Sequence, residues 1–207
     1  ILNEIVPLSE QTASQSTTNM DAYNEYLVGR AFTNSRVPGW PDKAAAAFRR
    51  AIELDAGYAP PYAGLALAIF WLDDEGARRL VEQALELDPL LAEGHAIAGL
   101  TQLDKDNAGA ERSLRRALEL DPSLGIAYNW LAGALQRQGL QAEADALRDK
   151  GLEIDPLNPV LTVNVAWRNY RQGNFDRAEK LMLRLTYLPE PAGFVYGHLQ
   201  ELYDRQG

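Results

Sequence analysis

The sequence predicts an all-α solenoid, a stack of about five and a half antiparallel helix pairs over residues 19–207. Three observations carry this. An acidic tag recurs as AIELDA at 51–56, ALELDP at 84–89, ALELDP at 117–122 and GLEIDP at 151–156. Its aspartates, Asp55, Asp88, Asp121 and Asp155, are spaced by 33, 33 and 34 residues, and a degenerate fifth copy at 185–190 keeps the phase. Two helical signatures recur between the tags, and prolines and glycines fall where helices must end.

The units run 19–57, 58–90, 91–123, 124–157 and 158–191, with a half unit at 192–207. Ahead of each aspartate stands a trio spaced four and three: Ala44, Phe48, Ala51; Ala77, Val81, Ala84; Ala110, Leu114, Ala117; Ala178, Met182, Leu185. That spacing places each trio on one helical face. The other helix of each unit repeats a bulky residue and two smaller ones: Tyr62, Leu65, Ala66; His95, Ala98, Gly99; Tyr128, Leu131, Ala132; Thr162, Val165, Ala166. Proline after the aspartate cannot continue a helix, and Gly139 and Gly173 mark turns, with Asn174 placed as an N-cap. In the fourth unit Arg148 and Gly151 replace the large apolar residue and the alanine. Glycine inside a helix costs about 1 kcal/mol relative to alanine, so this unit is expected to be the loosest. The first unit carries an insertion over 34–41 containing Pro38, Gly39, Trp40 and Pro41. The last helix, 194–206, should dock on the fifth pair through Val195, Leu199, Leu202 and Tyr203 as a cap, with His198, Gln200, Glu201 and Arg205 opposite. Sharing it with a second copy would instead give a homodimer.

A unit of this length with Ala, a large apolar residue, Ala and Asp-Pro resembles the tetratricopeptide repeat. The resemblance implies a right-handed superhelix of helix pairs whose concave groove, lined by the first helix of each pair, binds a protein or peptide. Reading one face through successive units gives Phe70 and Trp71, Ile97 and Leu100, then Asn129, Trp130 and Arg137. Asn164, Trp167, Tyr170 and Arg171 follow, then Phe194, His198 and Arg205. Aromatic and arginine side chains are enriched at binding hot spots; packing between adjacent helices is the alternative reading for each tryptophan. Chaperone-binding members grip a terminal carboxylate with a clamp of basic and Asn side chains; Asn129 and Asn164 are present, but the matching lysines are not.

The stretches AYNEYLVGRAF at 22–32 and AAFRRAIELDAGYAPPYAGLALA at 46–68 resemble the repeat region of multidomain bacterial signalling proteins. Those carry a winged-helix DNA-binding domain or a class III adenylate cyclase domain ahead of the repeats. The resemblance implies that residues 1–18 close a preceding domain and form a polar linker. It also opens an alternative function, a sensor or dimerisation module regulating an attached domain. The missing initiator Met fits a piece of a longer protein.

Composition narrows the remaining classes. With 29 acids against 20 bases the net charge is −9, which opposes direct nucleic-acid binding. No apolar run approaches the roughly 18 residues of a membrane span, and no signal peptide opens the chain. The absence of cysteine excludes thiolate chemistry and fits the cytoplasm. Only His95 and His198 are present, without partners at metal or triad spacing, and no phosphate loop appears. No cofactor and no catalysis are expected; His95 occupies the slot of Tyr62 and Tyr128, which packing explains. Finally, Arg-Gln-Gly recurs at 137–139, 171–173 and 205–207, always 34 residues apart. The repeat suggests a basic strip for an acidic partner, or cations favoured at helix C-termini.

Overall fold

The computed structural model describes residues 17–188 and 191–205, and within them the chain forms eleven helices and no strand. The first pair is α1 (Met20–Ser35) and α2 (Trp40–Leu54); the second is α3 (Ala59–Ile69) and α4 (Asp74–Leu87). Then come α5 (Ala92–Gln102) with α6 (Asn107–Leu120), α7 (Gly125–Arg137) with α8 (Gln141–Ile154), and α9 (Pro159–Arg171) with α10 (Phe175–Thr186). The half unit is α11 (Gly193–Asp204). Helix contacts join chain neighbours or the first helices of successive pairs, from α1 on α3 to α9 on α11. This nearest-neighbour pattern is what makes a solenoid.

The recurrent aspartates end the second helices. Asp55, Asp88 and Asp121 leave the helix in extended backbone at φ −150°, −139° and −138°. Each carboxylate then accepts the backbone N–H two residues on, from Gly57, Leu90 and Ser123, at 3.0, 2.9 and 2.8 Å. Each carbonyl accepts the N–H three residues on, from Tyr58, Leu91 and Leu124. A proline next in sequence favours extended backbone at the residue before it. Asp55, however, is followed by Ala56 and turns the same way, so the carboxylate suffices without proline.

All twelve residues of the four apolar trios are buried. Fully burying one of the large members, Phe48, Val81, Leu114, Met182 or Leu185, is worth about 1.5–3 kcal/mol. Phe48 fills the space left by two glycines, since a Cβ on Gly29 or Gly64 would come within 2.5 Å of its ring. The bulky slot of the first helix repeats a bond as well as a shape. Tyr62 donates to the Ala56 carbonyl at 3.0 Å, Tyr128 to that of Pro122 at 3.1 Å, and the His95 Nε2 lies 2.9 Å from that of Pro89. His95 is therefore a packing and capping residue, as its slot implied.

Three expectations need amendment. Asn174 sits at the N-cap of α10, but its side chain makes no capping bond. Gly151 is also a site of close approach, because a Cβ there would lie 2.9 Å from the Tyr128 Cβ and 3.1 Å from the Gly125 carbonyl, so its cost in helix propensity comes with a packing role. On α11, Val195 and Leu202 are buried, Leu199 is half-buried, and Tyr203 is exposed, bonded to Glu179 at 2.8 Å. Of the anticipated linker, residues 1–16 lie outside the described residues, as do Gln206 and Gly207. Thr17 donates to the Asp55 carboxylate, and Asn19 caps α1 while its amide donates to the Leu54 carbonyl at 2.9 Å.

Candidate peptide-binding groove

The first helices of the pairs surround a cavity of about 510 Å³. The lining moves along the helices from unit to unit. On α1 it runs from Tyr26 and Arg30 at mid-helix to Asn34 near its C-terminus; on α3 it falls at Gly64 and Leu67. On α5 it comprises Glu93, Ala96 and Ile97, and on α7 Gly125, Ile126 and Trp130. On α9 only the opening residues, Pro159 and Val160, take part. The helices thus cross the groove obliquely, as elements of a superhelix do.

One wall is held by a cluster that skips a unit. The Arg30 Nη1 lies 3.0 Å from the Glu93 Oε1 and donates to the Tyr26 hydroxyl at 3.0 Å, while that hydroxyl donates to the Glu93 Oε2 at 3.4 Å. Burial, reinforced by the Glu93 carboxylate, pushes the Tyr26 phenol well above its ordinary range, and Glu93 raises Arg30. Tyr58, edge-on to Tyr26 at 5.4 Å, is pushed up to about 12, mainly by burial. The lining also carries Arg36, whose guanidinium stacks on Trp40 at 4.2 Å, and the turn carboxylates Asp121 and Asp155. Apolar surface with charge of both signs suits an extended peptide. Among the described residues no cluster of three metal-ligating side chains occurs, and no helix is long and apolar enough to cross a membrane.

Of the residues read from the sequence as groove-lining, Trp130 and Ile97 line this cavity. Leu100 is buried. Asn129 and Asn164 meet across α7 and α9, the Asn164 amide donating to the Asn129 oxygen at 2.9 Å. Trp167, Tyr170, His198 and Arg205 come together between α9 and α11 and engage one another. The Trp167 indole donates to the His198 Nδ1 at 3.1 Å, the Arg205 guanidinium covers the Trp167 ring at 5.3 Å, and the Tyr170 hydroxyl donates to the Arg205 carbonyl at 3.1 Å. Phe194 closes on His198 at 6.0 Å. Phe70 and Trp71 meet in a tilted contact at 4.7 Å at the C-terminal end of α3, outside the cavity lining, with Trp71 75% exposed. The arginine strip is interrupted: Arg137 pairs with Asp104 at 2.7 Å and Arg205 with Glu201 at 2.6 Å, while Arg171 makes no ion pair among the described residues. Sequence reasoning missed Tyr26, Arg30, Leu67, Glu93, Ile126 and Val160. It followed one slot through every unit, whereas the cavity lining shifts toward the helix N-termini.

The insertion in the first unit reaches the far end of the solenoid. Arg36 takes a left-handed conformation at φ 51° and Gly39 at φ 73°, folding Val37 and Pro38 outward from the end of α1. The Pro38 ring then lies 3.7 Å from where a Cβ on Gly193 would stand, at the start of α11. First and last units so approach each other around the cavity.

No protein-family model matches the sequence, and no curated protein matches it. Among solved structures, the chain is similar to TTC0263, a thermophilic TPR protein in Thermus thermophilus. The identity is 14% over 88% of this chain and 98% of that one, with a TM-score of 0.69. It is also similar to MamA, at 18% identity over 81% of this chain and 91% of that one, with a TM-score of 0.48. The likeness to TTC0263 is one of fold, and the fold is the tetratricopeptide-repeat solenoid of stacked antiparallel helix pairs.

Proposed function

We propose that the chain is a protein-interaction scaffold that holds an extended segment of a partner protein in the cavity along its first helices, and that it catalyses nothing itself. The supporting observation is the 510 Å³ cavity, whose walls come from all five first helices of the pairs and mix apolar side chains with Arg30, Glu93, Asp121 and Asp155. A ligand spanning it would touch every repeat. With Arg137 and Arg205 already paired, the partner need not be acidic; an apolar segment of mixed charge fits the lining better. The test is selection from a displayed peptide library against the whole chain, followed by affinity measurement. Leu67→Glu and Ile126→Glu change half-buried lining residues and should each weaken the selected peptides by about tenfold or more. Unchanged affinity in both would remove the cavity as the binding site.

A second reading, in which the rod regulates an attached domain, is favoured by one observation. Met20, Tyr23, Leu27 and Val28 leave exposed apolar surface on α1, the first of the described helices. That reading expects these side chains to be protected in a longer chain and free in this one. Footprinting by methionine and tyrosine oxidation measures the difference.

A further inference from the structure

We propose that a second cavity, where α7, α8 and α9 meet, is an anion site that takes phosphate or a comparable tetrahedral oxyanion. It holds about 300 Å³, is lined by Gln136, Gln141, Asp145, Arg168, Arg171 and Gln172, and shares no residue with the groove. The proposal is therefore independent of what the groove binds.

Three guanidinium groups gather here around two carboxylates. Arg168 is buried and engaged: its Nη1 donates to the Asp145 carbonyl at 3.0 Å and its Nη2 to the Asp149 carboxylate at 2.5 Å. Arg148 occupies the trio slot that holds Leu114 one unit earlier. Its Nη2 donates to the Gln136 Oε1 at 2.7 Å, its Nη1 lies 3.6 Å from Asp145, and its Nε is buried without a partner. Arg171 lines the cavity and has no ion pair among the described residues. The Gln141 amide donates to the Asp145 carboxylate at 3.0 Å, which fixes that carboxylate in place.

The electrostatics lean the same way. Burial depresses Arg148, Arg168 and Arg171 depress it further, and only Asp145 opposes them. Crowding partly buried cations beyond the capacity of their counter-ions is costly. Asp149 pairs with Arg168 and Asp145 faces Arg148, while Arg171, at the exposed mouth of the cavity, has no anion among the described residues. Guanidinium forks fit the planar and tetrahedral faces of oxyanions, and a glutamine amide such as that of Gln172 can add a donor. The site stands at the edge of the solenoid where α7 and α9 end, so a small ligand reaches it without entering the groove. The second Arg-Gln-Gly copy supplies Arg171 and Gln172.

The experiment uses the whole chain, with inorganic phosphate as the probe and chloride as the control at matched ionic strength. Calorimetric titration should show saturable phosphate binding, and the thermal midpoint should rise with phosphate and level off. Arg171→Gln, at an exposed position, should keep the midpoint in chloride while weakening phosphate by about tenfold. Arg137→Gln, whose guanidinium is committed to Asp104, should leave phosphate binding unchanged. Equal midpoints in phosphate and chloride with no titration heat would overturn the proposal. So would phosphate binding that survives Arg171→Gln or is lost in Arg137→Gln.

Discussion

In the second and third units the turn between the paired helices is built on a carboxylate. Asp73 accepts the N–H of Gly76 at 2.8 Å and Asp106 that of Gly109 at 2.9 Å, each capping the helix it precedes. In the fourth and fifth units the same turn is made by Gly139 and Gly173 at φ 81° and 80°, and neither following helix has a side-chain cap. Replacing a cap residue costs about 0.5–2 kcal/mol, so α8 and α10 begin at a disadvantage. The contrast continues inside. The third unit has Leu114 and Ala117 buried, and in the fourth Arg148 and Gly151 take those slots; in the bulky slot of the other helix, Tyr128 of the fourth unit has its hydroxyl bonded, whereas Thr162 of the fifth has its hydroxyl buried without a partner. The period stays in register through both, so one backbone geometry is sustained by two sets of interactions. The second set gives up apolar packing for a cluster of cations.

The difference should appear first in the core. Leu114→Ala removes a fully buried side chain and should cost about 3–4 kcal/mol. Arg148→Leu, in the same slot one unit on, should leave stability unchanged or raise it by about 1 kcal/mol. Denaturant midpoints read both, and a large loss on Arg148→Leu would mean the cationic cluster is a structural element in its own right.

Gly151→Ala sets helix propensity against space. Propensity favours alanine by about 1 kcal/mol, but the new Cβ would press on Tyr128, Gly125 and Leu161, and overpacking costs about 1–3 kcal/mol. A net loss is expected; a net gain would show that α7 and α8 can separate without penalty.

Smaller still is the repeated hydroxyl bond. Tyr128→Phe should cost about 1 kcal/mol, whereas Thr162→Val, which removes an unsatisfied buried hydroxyl, should be neutral or stabilising by a similar amount. Equal losses would erase the distinction between the bulky slots of the fourth and fifth units. Amide exchange completes the comparison, with faster exchange expected across α8 and the start of α9 than across α4 to α6.

Much of this was legible in the sequence. The trios, the aspartate turns and the equivalence of His95 with Tyr62 and Tyr128 follow from period and chemistry alone, because each depends on contacts within one unit or with the next. The groove was not legible in the same way. Its lining passes from Asn34 on α1 to Val160 on α9, a drift set by the accumulated rotation between pairs, and a repeat-by-repeat reading cannot supply that rotation. Trp167, Tyr170, His198 and Arg205 were read from the sequence as groove-lining residues of separate units, and the contacts they make with one another were not legible there. The reach of Pro38 to Gly193 was hidden for a related reason, since it joins the two ends of the stack.

The central claim is that a partner lies along the oblique cavity and not on the aromatic surface at the ends of the first helices. Site-specific photo-crosslinking with a selected peptide tests this most directly, using a photoreactive side chain at Leu67, Ile126 or Trp71 in turn. The account predicts crosslinks from Leu67 and Ile126, in different units of the same cavity, and none from Trp71. Crosslinks from Trp71 with none from Leu67 and Ile126 would contradict it.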